Sequence, residues 1–378
     1  MTASGLTWDH PRGRDALREI ARRTNDTRTE PLIEWHLQPL EGFESAPIAD
    51  LAARHDILVL DHPHIGEAIA AECLQPLEDF YAAEQIARWE AQSVGAALSS
   101  YVWEGKTWAL PLDVASQVMV RRSQAIAGAP TQWSEIEELA QTHPVALSLA
   151  GPHAILTIFS LAAGQNHLAR GNDMLPDEAF SDAFERARTL WQRRPKGSET
   201  LNPIALLEAM TRGEIALCPL IFGYVNYAAP GPNQLAFSAP AAPFPGGVLG
   251  GTGLAFTKGA APSEELLAHI ASLLDETTQT DLIPAFGGQS SARAAWENTQ
   301  VNAAWGNFYA DTLPSVERAF VRPRFDGYIA FQTAASEAVR SALAGNAPPE
   351  TALSAIRSLW HDARRRAHGP LDDERSLS

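Results

Sequence analysis

The stretch Tyr101-Val-Trp-Glu-Gly-Lys-Thr-Trp-Ala-Leu-Pro-Leu-Asp-Val-Ala-Ser-Gln-Val-Met-Val-Arg-Arg122 decides how this chain is organised. Glu104-Gly105-Lys106 is typical of a hairpin turn, because glycine supplies the positive φ that tight turns need. Proline lacks an amide donor and has a fixed φ, so Pro111 favours a crossing between two elements over a central strand. An apolar strand is predicted from there to Arg121. An ordinary hairpin followed by a strand fits the same residues.

Length and composition predict a globular protein of two domains. The chain has 378 residues, more than the ~250–300 at which single cores stop growing. Hydrophobic residues make up 45% and charged residues 20%, and the net charge is −16. A strongly acidic chain is not expected to bind nucleic acid or anionic membrane surfaces. It is compatible with a small anionic ligand, because local arginines can outweigh the global charge.

The two cysteines and the N-terminus carry further expectations. Cys73 and Cys218 lie in apolar surroundings, and we expect two buried free thiols. No run of 18 apolar residues is present, so no membrane insertion is expected. The first residues lack the basic, apolar and small-residue regions of a signal peptide. We therefore expect the cytoplasm if the chain is as encoded, and the periplasm or exterior if a signal was removed.

Strand and helix patterns alternate along the chain. Apolar strand patterns at 5–8, 32–37 and 56–61 are separated by helical patterns at 15–23 and 48–54, which predicts an α/β doubly wound lobe. Further strands are predicted at 145–149, 215–220 and 253–257, and helices at 131–141, 155–163, 177–193, 203–213, 262–277, 334–343 and 350–366. The Pro- and Gly-rich segment 230–251 is expected to form loops and a second crossing.

Several segments, taken in order, resemble one family. These segments are DILVLD at 56–61, CLQPLEDF at 73–80, GAPTQWSEIEELA at 128–140, LEAMTRGEIAL at 207–217, the glycine-rich 242–258 and LAGNAPPETAL at 343–353. Together with 101–122, they resemble the extracellular solute-binding proteins of family 1, the maltose-binding-protein-like substrate-binding proteins of ABC importers. The loops at 8–13 and 61–64 depart from the sugar-binding members, and so does the missing signal.

The resemblance implies a fold and a division of the chain. The fold is α/β of the type II periplasmic-binding-protein kind, with a ligand cleft between two lobes. Lobe 1 would comprise 1–112 plus 250–312, and lobe 2 would comprise 113–249 plus 313–367 with the C-terminal helices. Residues 368–378 would form a flexible tail. The implied function is to bind a small molecule and deliver it to an ABC permease, as a monomer and without a cofactor.

In such a fold, ligand binds beyond the carboxyl ends of strands, and four clusters of candidate residues lie at such ends. They are Trp8, Asp9, His10 and Arg12; Asp61, His62 and His64; Asp113 and Gln117; and Phe222 and Tyr224 with Gly251 and Thr252. Gly287, Gly288, Gln289 and Arg293 could add a fifth contact.

Each candidate also has a structural interpretation. Trp8 could be a core residue, and Asp9 could cap the following helix. Arg12 could pair with Asp9 or with Asp61. His62 and His64 would share a face of a strand and could hold a metal with His10 as a third ligand, but no metal is predicted.

The candidate residues favour an anionic ligand, because histidines and an arginine gather in lobe 1 and aromatic residues in lobe 2. Arginine binds carboxylates and sulfonates through paired donors, so Arg12 is the expected clamp. A sugar-like ligand is the other possibility within the same function. A cytoplasmic enzyme of lyase, isomerase or hydrolase type, with a histidine as general base, is the second interpretation. A ligand sensor without chemistry is the third, and no catalytic residue is assigned.

Overall fold

Parallel strands with intervening helices build the first part of the fold. The computed structural model describes residues 2–163, 175–244 and 246–368. β1 (Ala3–Trp8) is followed by α1 (Pro11–Asn25), and β2 (Ile33–Gln38) follows that helix. Next come α2 (Leu40–Ser45), α3 (Ile48–Ala52) and β3 (Ile57–Leu60). β1 pairs in parallel with both β2 and β3, which is the predicted βαβαβ alternation.

The remaining elements follow in chain order. They are α4 (Ile65–Ala70), β4 (Leu74–Gln75), α5 (Ala83–Gln92), β5 (Val102–Trp103), β6 (Lys106–Thr107), β7 (Leu110–Arg121), α6 (Trp133–Leu139), α7 (His153–Ala163), α8 (Asp177–Trp191), α9 (Pro203–Thr211), β8 (Leu217–Phe222), β9 (Ala236–Ser238), β10 (Leu249–Thr257), α10 (Glu264–Ser272), α11 (Ile283–Ala285), α12 (Arg293–Glu297), α13 (Thr299–Ala304), α14 (Phe308–Glu317), α15 (Tyr328–Leu343) and α16 (Pro349–His368).

The long strand β7 connects the two parts of the sheet. Its first half pairs antiparallel with β10 and its second half with β8 and β9. The strand order β2-β1-β3-β10-β7-β8 follows from these pairings. Pro111 lies inside β7, where the register shifts between Thr252 and Gly253 of β10. Such an irregularity tolerates a residue without an amide donor, so β7 starts before Pro111 instead of after it.

The predicted hairpin is confirmed. β5 pairs with β6, and the two residues between them have positive φ, 52° at Glu104 and 74° at Gly105. Two consecutive positive φ values are typical of the tight turns whose twist matches that of a hairpin.

Helices cover the sheet and build a second core. α15 packs on α7, and α16 packs on α8 and α15. Their apolar faces share one core cluster with α7 and α8. A larger cluster contains Trp8 together with Leu206 and Phe308, so apolar contacts continue across the predicted lobe boundary. The residue limits of the two lobes stay a prediction, and the tail after His368 lies outside the described residues.

Local differences from the predicted elements have local causes. α1 starts at Pro11 because the Nδ1 atom of His10 accepts a hydrogen bond from the Arg12 amide at 3.2 Å, and proline suits the first helical position. α10 starts later than predicted because the Ser263 side chain caps it. The strand predicted at 145–149 is wrong. Val145 makes only an isolated bridge to Leu217, and an apolar run does not distinguish a strand from a buried extended segment.

The cysteines are buried free thiols, as predicted. Burial raises the pKa of Cys73 to about 11 and that of Cys218 to about 12. Within the described parts of the chain, no helix has the length and apolar character that a bilayer crossing requires.

Candidate functional site

A cavity of about 30 Å³ lies between the two predicted lobes. Its polar lining comes from Glu44, Asp61, His64, His153, Arg322 and Gln332, and its apolar lining from Pro152, Leu156, Phe222 and Ile329. Asp61 and Phe222 face the same space, and this is where the sequence predicts the cleft. A cavity of this volume accommodates about one water molecule. A larger molecule does not fit the cavity as it stands.

Asp61 and Arg322 form a part-buried ion pair on one side of the cavity. Arg322 donates from Nη2 to Asp61 and from Nε to the carbonyl of Leu249. Burial raises the pKa of Asp61, but Arg322 and His62 outweigh it and hold that pKa well below its usual range. From the sequence, Arg12 was a possible partner of Asp61. That pairing is wrong, because Arg322 takes this position.

Both ring nitrogens of His62 are engaged. Nδ1 lies 3.0 Å from Asp61, and Nε2 accepts the Arg322 amide at 3.2 Å. Burial lowers the pKa of His62 to about 4, although the hydrogen bond with Asp61 acts in the opposite direction. The ring is thus neutral at physiological pH and has no free nitrogen. This arrangement does not favour His62 as a general base.

His62 and His64 do not share a face of a strand. His62–His64 form a 3-10 turn, because the Asp61 side chain accepts the His62 amide at 2.8 Å and Pro63 fixes φ. The geometry that suggested a metal pair is absent. Among residues 2–163, 175–244 and 246–368, no three His, Cys, Asp or Glu side chains are arranged to hold a metal ion.

His64 and His153 line the cavity, and each has one ring nitrogen without a partner. Both rings are 2% exposed, and the Nδ1 atom of each has no hydrogen-bond partner. Nε2 of His153 lies 3.1 Å from Oε1 of Glu44, and the His153 ring packs edge-on against Phe222 at 5.9 Å. Burial lowers the pKa of His64. A buried unpartnered polar atom costs free energy, so these two nitrogens mark a place for a hydrogen-bonding ligand.

Arg12 is paired with Asp113. Nε and Nη2 donate to the Asp113 carboxylate at 2.5 and 2.9 Å, and Nη1 donates to the Gly223 carbonyl at 3.1 Å. The guanidinium lies 5.8 Å from the Trp8 ring and 5.0 Å from the Tyr224 ring. Pairing of Arg12 with Asp9 or with Asp61 is therefore wrong. Its role as a ligand clamp stays a prediction, and the Asp113 carboxylate already occupies the two parallel donors that such a clamp would use.

Strand β10 contacts Asp113 through a hydrogen bond from Thr252 and a close backbone approach at Gly251. Thr252 donates from Oγ1 to Asp113 at 3.3 Å. Gly251 has φ 129°, and a Cβ atom there would lie 2.5 Å from the Asp113 carbonyl oxygen. The glycine therefore allows β10 to approach β7 at the point where the Arg12–Asp113 pair forms.

Aromatic rings pack beside this pair. His10 stacks on Trp8 at 5.1 Å, and Tyr224 packs edge-on against His10 at 5.1 Å. Phe43 stacks on the Trp8 ring at 5.7 Å. Burial lowers the pKa of His10 to about 4, and its Nδ1 atom caps α1, so Asp9 is not the cap. Trp8 is buried, which agrees with its core interpretation, but its Nε1 atom has no partner.

The remaining candidates lie in two different settings. Gln117 is buried in β7, with Oε1 accepting from Ser160 at 2.5 Å and Nε2 unpartnered. Gln289 bridges two segments by donating to the Val114 carbonyl and accepting the Val225 amide. By contrast, Asp9 pairs with Arg14, and Arg293 pairs with Glu297 and Glu317, both at the surface. Neither Asp9 nor Arg293 lines the cavity.

Sequence reasoning missed four polar residues of the cavity. They are Glu44, His153, Arg322 and Gln332. His153 carries the clearest signal, because it follows Gly151 and Pro152 and directly precedes a continuous apolar run. A polar residue at the N-terminal end of a buried helix is a candidate for a site. Arg322 stands in Val-Arg-Pro-Arg, which has no periodicity to indicate burial.

Comparison with known proteins identifies the fold. No family model and no curated protein sequence matches this chain. Solved structures match along nearly its whole length. The ABC transporter solute-binding protein of Agrobacterium radiobacter K84 in complex with ribitol has a TM-score of 0.80 at 16% identity, covering 97% of this chain and 98% of that one.

Two further structures agree. Maltose-bound MalE3 of T. maritima has a TM-score of 0.79 at 16% identity, covering 96% of this chain and 99% of that one. The solute-binding protein of Agrobacterium vitis S4 with bound D-mannitol has a TM-score of 0.75 at 17% identity, covering 97% and 99%. Likeness at this identity establishes the fold alone. The chain therefore has the two-lobed type II periplasmic-binding-protein fold, as these solute-binding proteins do.

Proposed function

We propose that this protein is a solute-binding protein of family 1 that closes its lobes on a small sugar or polyol and delivers it to an ABC permease. The observation that carries the proposal is the cavity between the predicted lobes, because it is lined by His64 and His153 and each of these residues has a buried Nδ1 atom without a partner. Similar structures hold ribitol, maltose and D-mannitol. Each of those ligands is neutral and polyhydroxylated.

The charges around the cleft favour a neutral ligand over an anionic one. Arg12, the anion partner expected from the sequence, is paired with the buried carboxylate of Asp113. Arg322, which lines the cavity, is paired with the part-buried carboxylate of Asp61. A ligand carboxylate or sulfonate would have to displace Asp113 or Asp61 and leave it buried without its partner, which is costly. A hydroxyl group can donate to an imidazole nitrogen and accept from another donor at the same time. Sugars and polyols therefore match the unpartnered atoms better than the carboxylate or sulfonate that the residue types favour.

A screen of thermal stability tests the proposal. The protein is heated with ribitol, D-mannitol, maltose, a dicarboxylate or an alkyl sulfonate, and each apparent ligand is then titrated calorimetrically. A ligand at 100 times its Kd adds about 2.7 kcal/mol of stability, which gives a clear shift in Tm. Stabilisation by a polyol or sugar and its unaltered recovery are expected. Stabilisation by the anions alone, or conversion of the ligand to a product, would contradict the proposal.

A further inference from the structure

His153 has an orientation that Glu44 sets from the opposite lobe. Glu44 lies in α2 and His153 is the first residue of α7, and the Oε1 and Nε2 atoms are 3.1 Å apart. An ionised carboxylate only accepts hydrogen bonds, so the hydrogen of a neutral imidazole must be on Nε2. The Nδ1 atom is then left with a lone pair. That atom is buried and unpartnered, and the ring lines the cavity.

We propose that His153 determines ligand specificity by accepting a hydrogen bond from a ligand hydroxyl at Nδ1, and that Glu44 acts as a positioning residue that fixes this tautomer when the lobes close. This inference rests on the proposed function and deepens it. Because the positioning carboxylate belongs to lobe 1 and the acceptor to lobe 2, the acceptor is set only in the closed form. Recognition of a hydroxyl is thereby coupled to closure.

The other groups around the cavity fit this role. Phe222 packs edge-on against the His153 ring and keeps it in place. Arg322, which lines the cavity, is hydrogen-bonded to Asp61 and Gln332 and is therefore already paired. His64 presents a second unpartnered Nδ1 atom from lobe 1. A ligand with two or more hydroxyls offers a partner for each of these nitrogens, whereas a ligand without hydroxyls leaves both of them unpaired.

Two substitutions separate the two nitrogens of His153. In His153→Gln the amide reaches the position of Nε2, so the contact with Glu44 is kept and the acceptor at Nδ1 is lost. In His153→Asn the amide oxygen lies near the position of Nδ1, so the acceptor is kept and the contact with Glu44 is lost. His143→Gln, on the loop after α6, serves as the control. Circular dichroism verifies that each variant folds.

Calorimetric titration with ribitol, D-mannitol and maltose measures the effect. We expect His153→Gln to weaken the best of these ligands by about 10- to 100-fold, because a buried hydrogen bond is lost. We expect His153→Asn to retain part of that affinity and His143→Gln to retain all of it. Monodeoxy derivatives sharpen the result, since the one lacking the recognised hydroxyl should bind the native protein weakly and should lose nothing further in His153→Gln. Equal affinity of the native protein and His153→Gln would overturn the inference.

Nitrogen-15 NMR of the imidazole groups gives a readout that needs no ligand. At about pH 8, where an ordinary histidine is neutral, Nδ1 of His153 should be unprotonated and Nε2 protonated. In Glu44→Ala the two tautomers should mix. If none of the three probes binds, the role of His153 in binding fails together with the proposed function, and these shifts decide only whether Glu44 sets the tautomer. Unprotonated Nδ1 that depends on Glu44 supports this positioning role, and protonated Nδ1 in the native protein overturns it.

Discussion

The Arg12–Asp113 pair and the His64–His153 cavity are both buried and polar, but they differ in how far their hydrogen-bonding groups are satisfied. The Asp113 carboxylate accepts from Arg12 and from Thr252. The two histidines of the cavity each keep one nitrogen without a partner. Charged residue types alone therefore do not indicate a ligand site. The satisfied pair joins helix α1 to strand β7, and the unsatisfied cavity is the better candidate for binding.

Because both regions are buried, the difference in hydrogen bonding should change the free energy of unfolding when residues are substituted. Removing one member of a buried ion pair leaves an uncompensated charge, which is strongly destabilising. An unpartnered imidazole nitrogen already carries its desolvation cost in the native state, so substituting it removes little stability. If the comparison is right, substitutions in the first region should mainly affect folding, and substitutions in the second should mainly affect binding.

The largest effect is expected for Arg12→Met. It leaves the Asp113 carboxylate buried, since both side chains are 4% exposed, and should lower the free energy of unfolding by about 3–5 kcal/mol. Urea denaturation measures the loss. Combining Arg12→Met with Asp113→Leu should cost less than the sum of the single changes. Arg14→Ala is the matched control in the same helix, because its pairs with Asp9 and Asp15 are at the surface and should contribute under about 1 kcal/mol. If Arg12→Met and Arg14→Ala lowered the free energy of unfolding equally, the buried pair would be no more important for folding than a surface pair.

Lowering the pH should decrease the free energy of unfolding, because His62 is kept neutral in the folded state. Burial lowers the pKa of His62 from the ordinary value of 6.5 to about 4, so the folded state favours the neutral ring. Stability from this group is complete above pH 6.5 and falls as the pH drops towards 4. The loss is on the order of 3 kcal/mol. Urea denaturation at several pH values should give a shallower pH dependence in His62→Gln, with His10 still contributing. An unchanged slope in that variant would place the acid sensitivity elsewhere.

The sequence predicts those features that depend on neighbouring residues. The apolar run of β3 and the Glu104-Gly105 turn are local patterns, and both form as expected. The Asp-His-Pro-His segment after β3 is also local, but its prediction was wrong, because a strand was expected where the Asp61 side chain caps a 3-10 turn. The partner of Arg12 could not be predicted from the sequence. Asp113 lies 101 positions away, and the register that brings β7 beside α1 is a property of the whole fold.

The cavity shows the same limit. Its candidates Asp61 and Phe222 follow strand ends, where the fold places ligands. Glu44 and His153 lie on short or buried helices that carry no such signal. The pairing of Glu44 with His153 can be recognised only once the positions of both predicted lobes are known. Whether a buried polar side chain has a hydrogen-bond partner depends on residues distant in sequence. This property is therefore the hardest one to predict from sequence patterns.

An intermediate effect is expected for Gly251→Ala. The added Cβ would lie 2.5 Å from the Asp113 carbonyl oxygen, at φ 129°, and strained backbone of this kind costs of order 1–3 kcal/mol. Because β10 then moves away from β7, the Arg12–Asp113 geometry should loosen as well. Thermal unfolding measures the loss. Gly259→Ala is the control, since a Cβ atom there meets nothing within 4 Å and should change stability by no more than about 0.5 kcal/mol. Equal costs would mean that strand approach is not what the glycine provides.

The smallest effect on folding is expected for Glu44→Gln. The Glu44 side chain is 23% exposed, and glutamine keeps an oxygen that can accept from His153. A partly exposed pair contributes about 0–1 kcal/mol, so the free energy of unfolding should change by less than that. Urea denaturation beside Arg12→Met makes the comparison direct. A loss for Glu44→Gln as large as that for Arg12→Met would mean that the interlobe contact is structural. A negligible loss would mean that the negative charge of Glu44 contributes little to folding, which is compatible with a contact that opens in the proposed hinge motion.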